Sequence, residues 1–327
     1  MEHMTQKKAA ALLVVIAFAT VYIVWGSTYF FIQMALKSFP PMLMGAFRFT
    51  VAGILLLAWC AYKGDKIWVK RDIINSGISG LLLLFVATGI VIWVEQILPS
   101  AMVAILVSVA PIWVVIFDRA NWKVNFKSTS TLTGLLTGFA GVVLLFGEQA
   151  GKALSGHPDL TMLSAMALLL LAPVSWSLGA LFSKRKTSES PARMNIAWQM
   201  IIAGIAFIPA GFFHNEYNSF HFSQVSGASW FAIAYLIFFG SIIAFSAYIW
   251  LLKVRPVTQV STHSYVNPVV AVILGVLFAG EHISLVQIGG LAVILISVLL
   301  INLVKYRKPA MKKQPDKPVI LKYRISA

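Results

Sequence analysis

A few residues in this chain carry chemistry that an apolar helix does not need. Arg48 stands seven positions into the apolar run 41–62. At 1.5 Å per residue that is about 10 Å deep. A central Arg costs about 2.5–3.5 kcal/mol to insert into a bilayer, so it must face the protein interior, a partner or the interface. There it either holds a solute carboxylate or braces a helix junction. Glu95 closes the run 73–94. It is either a surface cap or, if partly buried, a proton-coupling group. His263 lies six positions into the run 257–279, beside Ser264 and Tyr265. Its ring titrates near neutral pH, so it is either satisfied by a neighbour or used for solute contact or proton relay. Asn267 is four residues on and shares its helix face, while Tyr265 points elsewhere.

Two prolines stand near these groups. Pro111 has no N–H for the carbonyl of Val107, nor Pro268 for that of Ser264. Each is a hinge candidate: a kink that serves packing, or a break that faces a water-filled cavity. Trp25, Ser27 and Tyr29 form one aromatic and hydroxyl group, and Trp176 and Ser177 a second. Such sets suit an apolar or amphipathic solute, or else helix packing and interface anchoring. The single cysteine, Cys60, leaves no intrachain disulfide and no cysteine-based metal cluster. No metal or cofactor is expected.

The elements that must position these groups are membrane helices. The 327 residues are 59% hydrophobic and only 11% charged, where soluble domains carry roughly 25% charged residues. Ten apolar runs are bounded by charges or turn residues: 9–34, 41–62, 73–94, 98–117, 130–147, 160–183, 192–212, 229–252, 257–279 and 283–304. The first is too long for a signal-peptide core and reads as a retained helix. Tight turns at Pro99 and at Arg255-Pro256 join the third span to the fourth and the eighth to the ninth.

Net charge is +15, and the sorting of that charge matters more than its size. With the N-terminus inside, 23 of the 26 Lys and Arg fall on the inner side, Lys37 and Lys152 on the outer, and Arg48 within a span. The positive-inside rule then puts both termini in the cytoplasm and removes the need for a nucleic-acid partner. Residues 1–8 and the basic tail 305–327 are the cytoplasmic ends.

The chain also repeats itself. A shift of 151 residues brings Trp25 onto Trp176, Pro40 onto Pro191, Ala52-Gly53 onto Ala203-Gly204 and Arg48 onto Gln199. A shift of 157 brings Trp93 onto Trp250, Pro99 onto Pro256 and Pro111 onto Pro268. The halves are 9–147 and 160–304. Five spans per half is an odd number, so the halves enter the membrane in opposite senses, as in many secondary transporters. Gly134, Gly138 and Gly141 on the fifth span and Gly289-Gly290 on the tenth allow close helix approach. Packing within each half is the first reading, and a homo-oligomer interface the second.

Five motifs carry a family resemblance: WGSTYF at 25–30, RFTVAG at 48–53, the PS…AP fourth span, YVNPVVAV at 265–272 and GEHISLVQIGG at 280–290. Over residues 12–304 the chain resembles the EamA-type transporters of the drug/metabolite transporter superfamily. The resemblance implies an all-α polytopic membrane protein of ten helices in two inverted five-helix repeats. It implies a central cavity lined mainly by helices 1, 3, 4, 6, 8 and 9, and export of small metabolites, amino acids or drugs. It also makes the RF pair a recurrent second-span feature, which favours a structural role for Arg48. Glu281, in the GE motif, becomes a helix-end or loop contact.

The expected function is secondary export of a small solute by alternating access in the cell's inner membrane, driven by protons, with Glu95 or His263 as carrier. No Walker A sequence occurs, and none of H-E-x-x-H, G-x-S-x-G or paired intramembrane acids. A passive channel and a membrane-embedded enzyme are the alternatives. The solute and the bilayer are the expected partners.

Overall fold

A bilayer offers backbone N–H and C=O groups no partner, so each apolar run must satisfy them within its own helix. The computed structural model describes residues 2–98, 100–156, 159–186, 188–279 and 284–303. Pro99, Glu281 and the tail 305–327 lie outside the described residues. Within them the protein is an all-α polytopic membrane protein with no strand. Seven helices are long and apolar enough to cross a membrane: Ala11–Leu36, Pro41–Tyr62, Lys70–Val94, Thr129–Glu148, Leu160–Arg185, Ala192–Phe213 and Gly227–Val254. They match the expected first, second, third, fifth, sixth, seventh and eighth spans.

The other three expected spans are shorter or interrupted. The fourth is Ser100–Val107 followed by Ala110–Phe117. The chain then bends by 67° between Ile105–Phe117 and Arg119–Lys127. The ninth is Val257–Val260 followed by His263–Ala279, and the tenth is Leu285–Leu303.

The interruptions do not fall on the expected hinge prolines. Pro111 stands in the first turn of Ala110–Phe117, where its missing N–H loses no helical partner. The break is just before it, at Ser108–Val109. Pro268 is carried inside His263–Ala279, and the ninth span is interrupted at Ser261–Thr262 instead. There the Ser261 hydroxyl donates to Thr258 O (3.0 Å) and the Thr262 hydroxyl to Gln259 O (2.6 Å). Such side-chain bonds compete with the helical ladder.

Two spans share a feature that the sequence does not announce. The third widens into π turns at Leu81–Ala87 and the eighth at Leu236–Ala244. A shift of 157 lays the first stretch within the second. Wide turns disturb the ladder and leave carbonyls for other donors. Ser175 Oγ donates to Leu82 O (2.7 Å), Thr88 Oγ1 to Leu83 O (3.0 Å) and Trp25 Nε1 to Gly240 O (3.0 Å). The widened turns thus fix side chains of the first, third and sixth spans.

Glycines set the closest helix contacts. A Cβ on Gly53 would lie 2.8 Å from Ile201 N, and one on Gly204 would lie 2.6 Å from Thr50 N, so the second and seventh spans touch backbone to backbone. The fifth and tenth do the same at Gly141 and Gly290. Gly134 and Gly138 face Ile301, Ser297 and Tyr265 of the same chain, while Gly289 has open space beside it. Pro40 and Pro191 precede the second and seventh spans with nearly the same backbone, φ −61°, ψ 147° and φ −56°, ψ 146°.

Ties between segments distant in the sequence hold both ends. On the end rich in Lys and Arg, Arg185 pairs with Asp118 (3.0 Å) and Arg193 with Asp65 (2.6 Å). Each joins a solvent-reaching guanidinium to a carboxylate with little exposure. Lys184 Nζ donates to Leu252 O (2.8 Å) and to Arg255 O, where the eighth helix ends. At the opposite end, Glu216 accepts from the N–H groups of Met42 (3.2 Å) and Leu43 (2.8 Å). These are free donors of the second span's first turn, where a carboxylate also suits the helix dipole. Glu216→Ala is expected to destabilise the protein by about 1 kcal/mol, the usual cost of losing a cap. A thermal melt in detergent measures it, and an unchanged midpoint would contradict the role.

Candidate functional site

Six of the residues singled out in the sequence meet at one cavity: Trp25, Tyr29, Arg48, Trp176, His263 and Asn267. Its empty space, counting the solvent at its mouth, is about 840 Å³. Its walls are mostly apolar, with a few polar groups placed among them.

The cavity follows the repeat. Trp25 and Trp176 stand 151 residues apart, and both line it. Four further pairs at 157 residues also contribute both members: Leu84 and Ser241, Thr88 and Phe245, Val107 and Ser264, Ala110 and Asn267. Positions one shift apart therefore border the same space, with different chemistry. The first half gives Leu84, Val107 and Ala110 where the second gives Ser241, Ser264 and Asn267.

An aromatic group forms the end nearest the basic face. Trp25 packs on Trp176 (centroids 5.4 Å), Tyr248 (5.0 Å) and His263 (5.0 Å). The Trp25 N–H to Gly240 O locks the first span against the widened turn of the eighth. Farther toward the basic end the packing is dense. Val21, Leu181, Leu252 and Val257 are buried, and Tyr22 Oη meets Thr262 Oγ1 at 2.6 Å.

His263 and Asn267 share a helix face as their spacing requires. Asn267 Nδ2 lies 3.5 Å from His263 Nδ1, the long limit of a hydrogen bond. His263 Nε2 and Asn267 Oδ1 are buried with no hydrogen-bond partner. If the amide or the tautomer is reversed, one donor and one acceptor still remain unused. Buried polar groups are otherwise nearly always bonded, so this pair keeps hydrogen-bonding capacity that no neighbouring protein group uses. Tyr265 faces away, its hydroxyl donating to Leu135 O (3.0 Å).

Arg48 is 5% exposed and lines the wall. Its Nε donates to Ser241 Oγ (2.9 Å), and its guanidinium lies 4.9 Å from the Phe49 ring centroid. Glu95 lies one residue beyond Val94, the end of the third span, and one turn past Val91 of the cavity wall. It feels the phenol of Tyr29. Both its carboxylate oxygens are buried without a partner, and burial raises the carboxyl from 4.5 to about 8.

Other candidates lie apart from the space. Ser27 Oγ donates to Val24 O (2.7 Å) and meets Tyr235 Oη (2.7 Å). Ser177 Oγ bonds Pro173 O (2.7 Å) and Ala110 O (3.0 Å), tying the sixth span to the fourth. Pro111 and Pro268 do not line the cavity, although Ala110 and Asn267, just before them, do. Gln199, the counterpart of Arg48, faces a separate small polar pocket with Asp72, Ser76 and Ser79. Sequence reasoning passed over Thr28, Gly240, Ser241 and Phe245. The 157-residue shift, applied to Leu84 and Thr88, would have found the last two.

Comparison with known proteins agrees with this architecture. The sequence model of the EamA-like transporter family matches the chain twice, over residues 12–147 and 163–303. The uncharacterized inner membrane transporter YedA of Escherichia coli (strain K12) is 35% identical over 305 residues, 93% of this chain and 93% of its own. The uncharacterized transporter YvbV of Bacillus subtilis (strain 168) is 23% identical, over 92% of this chain and 94% of its own. One solved crystal structure superposes with a TM-score of 0.72 at 20% identity, over 90% of this chain and 98% of its own, and so shares the fold.

Proposed function

Since the chain belongs to the EamA-like transporter family, we propose that it is a secondary active exporter of a small organic solute and that this cavity is the solute site. The pairing of the walls carries the reading. Five positions and their partners one repeat away border the same space. In inverted-repeat transporters the site lies at the repeat interface, and exchange of the two halves' arrangements opens it to each side in turn. The matched π turns and the like geometry of Pro40 and Pro191 support such a repeat, with 9–147 and 160–304 as its halves.

The excess of Lys and Arg on one face assigns that face, and both termini, to the cytoplasm. The name of YedA places that relative in the inner membrane, and the same membrane is our assignment for this chain. Glu95 is the proposed proton carrier. His263, enclosed by three aromatic rings, is the second candidate.

Purified protein in liposomes is expected to move its solute uphill only when a gradient of protons or of a counter-solute exists. Flux driven by ATP without a gradient would overturn the reading. Asn267→Ala is expected to lower counterflow about tenfold, the equivalent of about 1.4 kcal/mol from one lost hydrogen bond, with the melting point retained. Full activity would remove Asn267 from the site.

A further inference from the structure

We infer that the solute is an amphipathic monoanion, its carboxylate held by Arg48 and its apolar body lying against Trp25, Trp176 and Phe245. This rests on the transporter reading above and names the chemistry of its site.

The argument begins with an uncompensated charge. Arg48 is almost wholly buried, and among the described residues no carboxylate lies within 4.0 Å of it. A buried cation without a counter-ion is costly, and buried charges in proteins are paired or hydrogen-bonded. A helix brace accounts for only part of this group. Bracing uses Nε, through Ser241, and the face toward Phe49. Among the described residues the terminal nitrogens Nη1 and Nη2 make no hydrogen bond. These two donors form the fork that fits a carboxylate in bidentate fashion. The site also gives the guanidinium room. A Cβ on Gly240 would stand 3.0 Å from Nη2, so the residue behind the fork is one without a side chain.

The rest of the wall limits the ligand further. Among the described residues Arg48 is the one cation that lines the cavity, and His263 sits among aromatic rings. One positive charge in an apolar space balances one negative charge. A second anionic group would be left buried and unpaired, which disfavours dianions. The indole and phenyl surfaces favour an aromatic or branched apolar body. The unused donor and acceptor of His263 and Asn267 suit a hydroxyl or carboxamide beyond that body.

The test uses the purified wild-type protein and three probes of like shape: phenylacetate, phenylacetamide and phenethylamine, with phenylmalonate as the dianion. Binding is read by isothermal titration calorimetry at neutral pH. Phenylacetate is expected to bind at least tenfold tighter than the amide, the amine or the dianion. Arg48→Gln is expected to reduce phenylacetate to the affinity of phenylacetamide while leaving the amide unchanged, which also shows that the variant is folded. Equal affinity for acid and amide, preference for the amine, binding of none of the probes, or full phenylacetate affinity in Arg48→Gln would each overturn the inference. Should Arg48→Gln fail to fold, the wild-type series alone decides. Gradient-driven flux of the amine or amide in liposomes would refute the anion while leaving the transporter reading intact. Phenylacetate that binds through Arg48 but is never moved by any gradient would refute the transporter reading alone.

Discussion

Valine in place of Gly80 is expected to lower the stability of the folded protein strongly. Gly80 ends the regular part of the third span, just before its turns widen at Leu81. Its Cα faces the backbone of the seventh span. An added Cβ would stand 2.2 Å from Gln199 O and 2.8 Å from the Gln199 carbonyl carbon. No rotamer change relieves a clash with backbone, so one helix must move. Overpacking of a close contact costs about 1–3 kcal/mol and occasionally more, and here both partners are rigid helices. We expect Gly80→Val to fall at or above the top of that range, about 3 kcal/mol. Gly289→Ala is the control. No atom lies within 4 Å of its Cβ position, so removing a helical glycine should be neutral or stabilising by about 0.5–1 kcal/mol. Melting of the two variants in the same detergent makes the comparison, and similar midpoints would refute the close approach.

Gly80 also marks where the sequence stops being legible. The helices were readable, because apolar length is dictated by the bilayer. The repeat was readable from Trp and Pro, whose rarity makes a match informative. Arg48 was readable because a charge at that depth needs an explanation. The π turns at Leu81–Ala87 and Leu236–Ala244 were not. Their residues are ordinary helix formers, and the widening depends on donors from other helices, such as Trp25 and Ser175. The place of each interruption was also hidden. A proline shows where a helix bond is lost, but at Ser261–Thr262 side-chain bonds to the preceding carbonyls decide where the ninth span is interrupted. Ser27 and Ser177 looked like cavity hydroxyls because they neighbour Trp25 and Trp176. Each step along a helix turns by about 100°, so Ser177 lies one step and Ser27 two steps round from its tryptophan, and both hydroxyls reach other helices instead.

Glu95→Gln is expected to abolish proton-driven accumulation while sparing exchange. Both oxygens of the Glu95 carboxyl are buried without a partner beside Tyr29 of the cavity wall. Such a carboxyl is comfortable when protonated and costly when ionised. While buried it therefore holds a proton, and reaching water releases it. Glutamine keeps the shape and fixes the group neutral. Uphill flux should then fall at least tenfold and lose its dependence on the pH difference, while counterflow of solute against solute should stay within about twofold; tenfold corresponds to about 1.4 kcal/mol of lost driving interaction. Stability gives a second readout. Burial raises the carboxyl from 4.5 to about 8 in the folded protein, so between those values the folded state binds more protons than the unfolded one. Stability then falls as pH rises through that window. Glu95→Gln should remove the slope, leaving the variant more stable than the parent at pH 9 and equal to it near pH 4. Equal pH slopes in the two proteins would place the carboxyl in water, and retained proton-driven accumulation in Glu95→Gln would move the coupling to another residue.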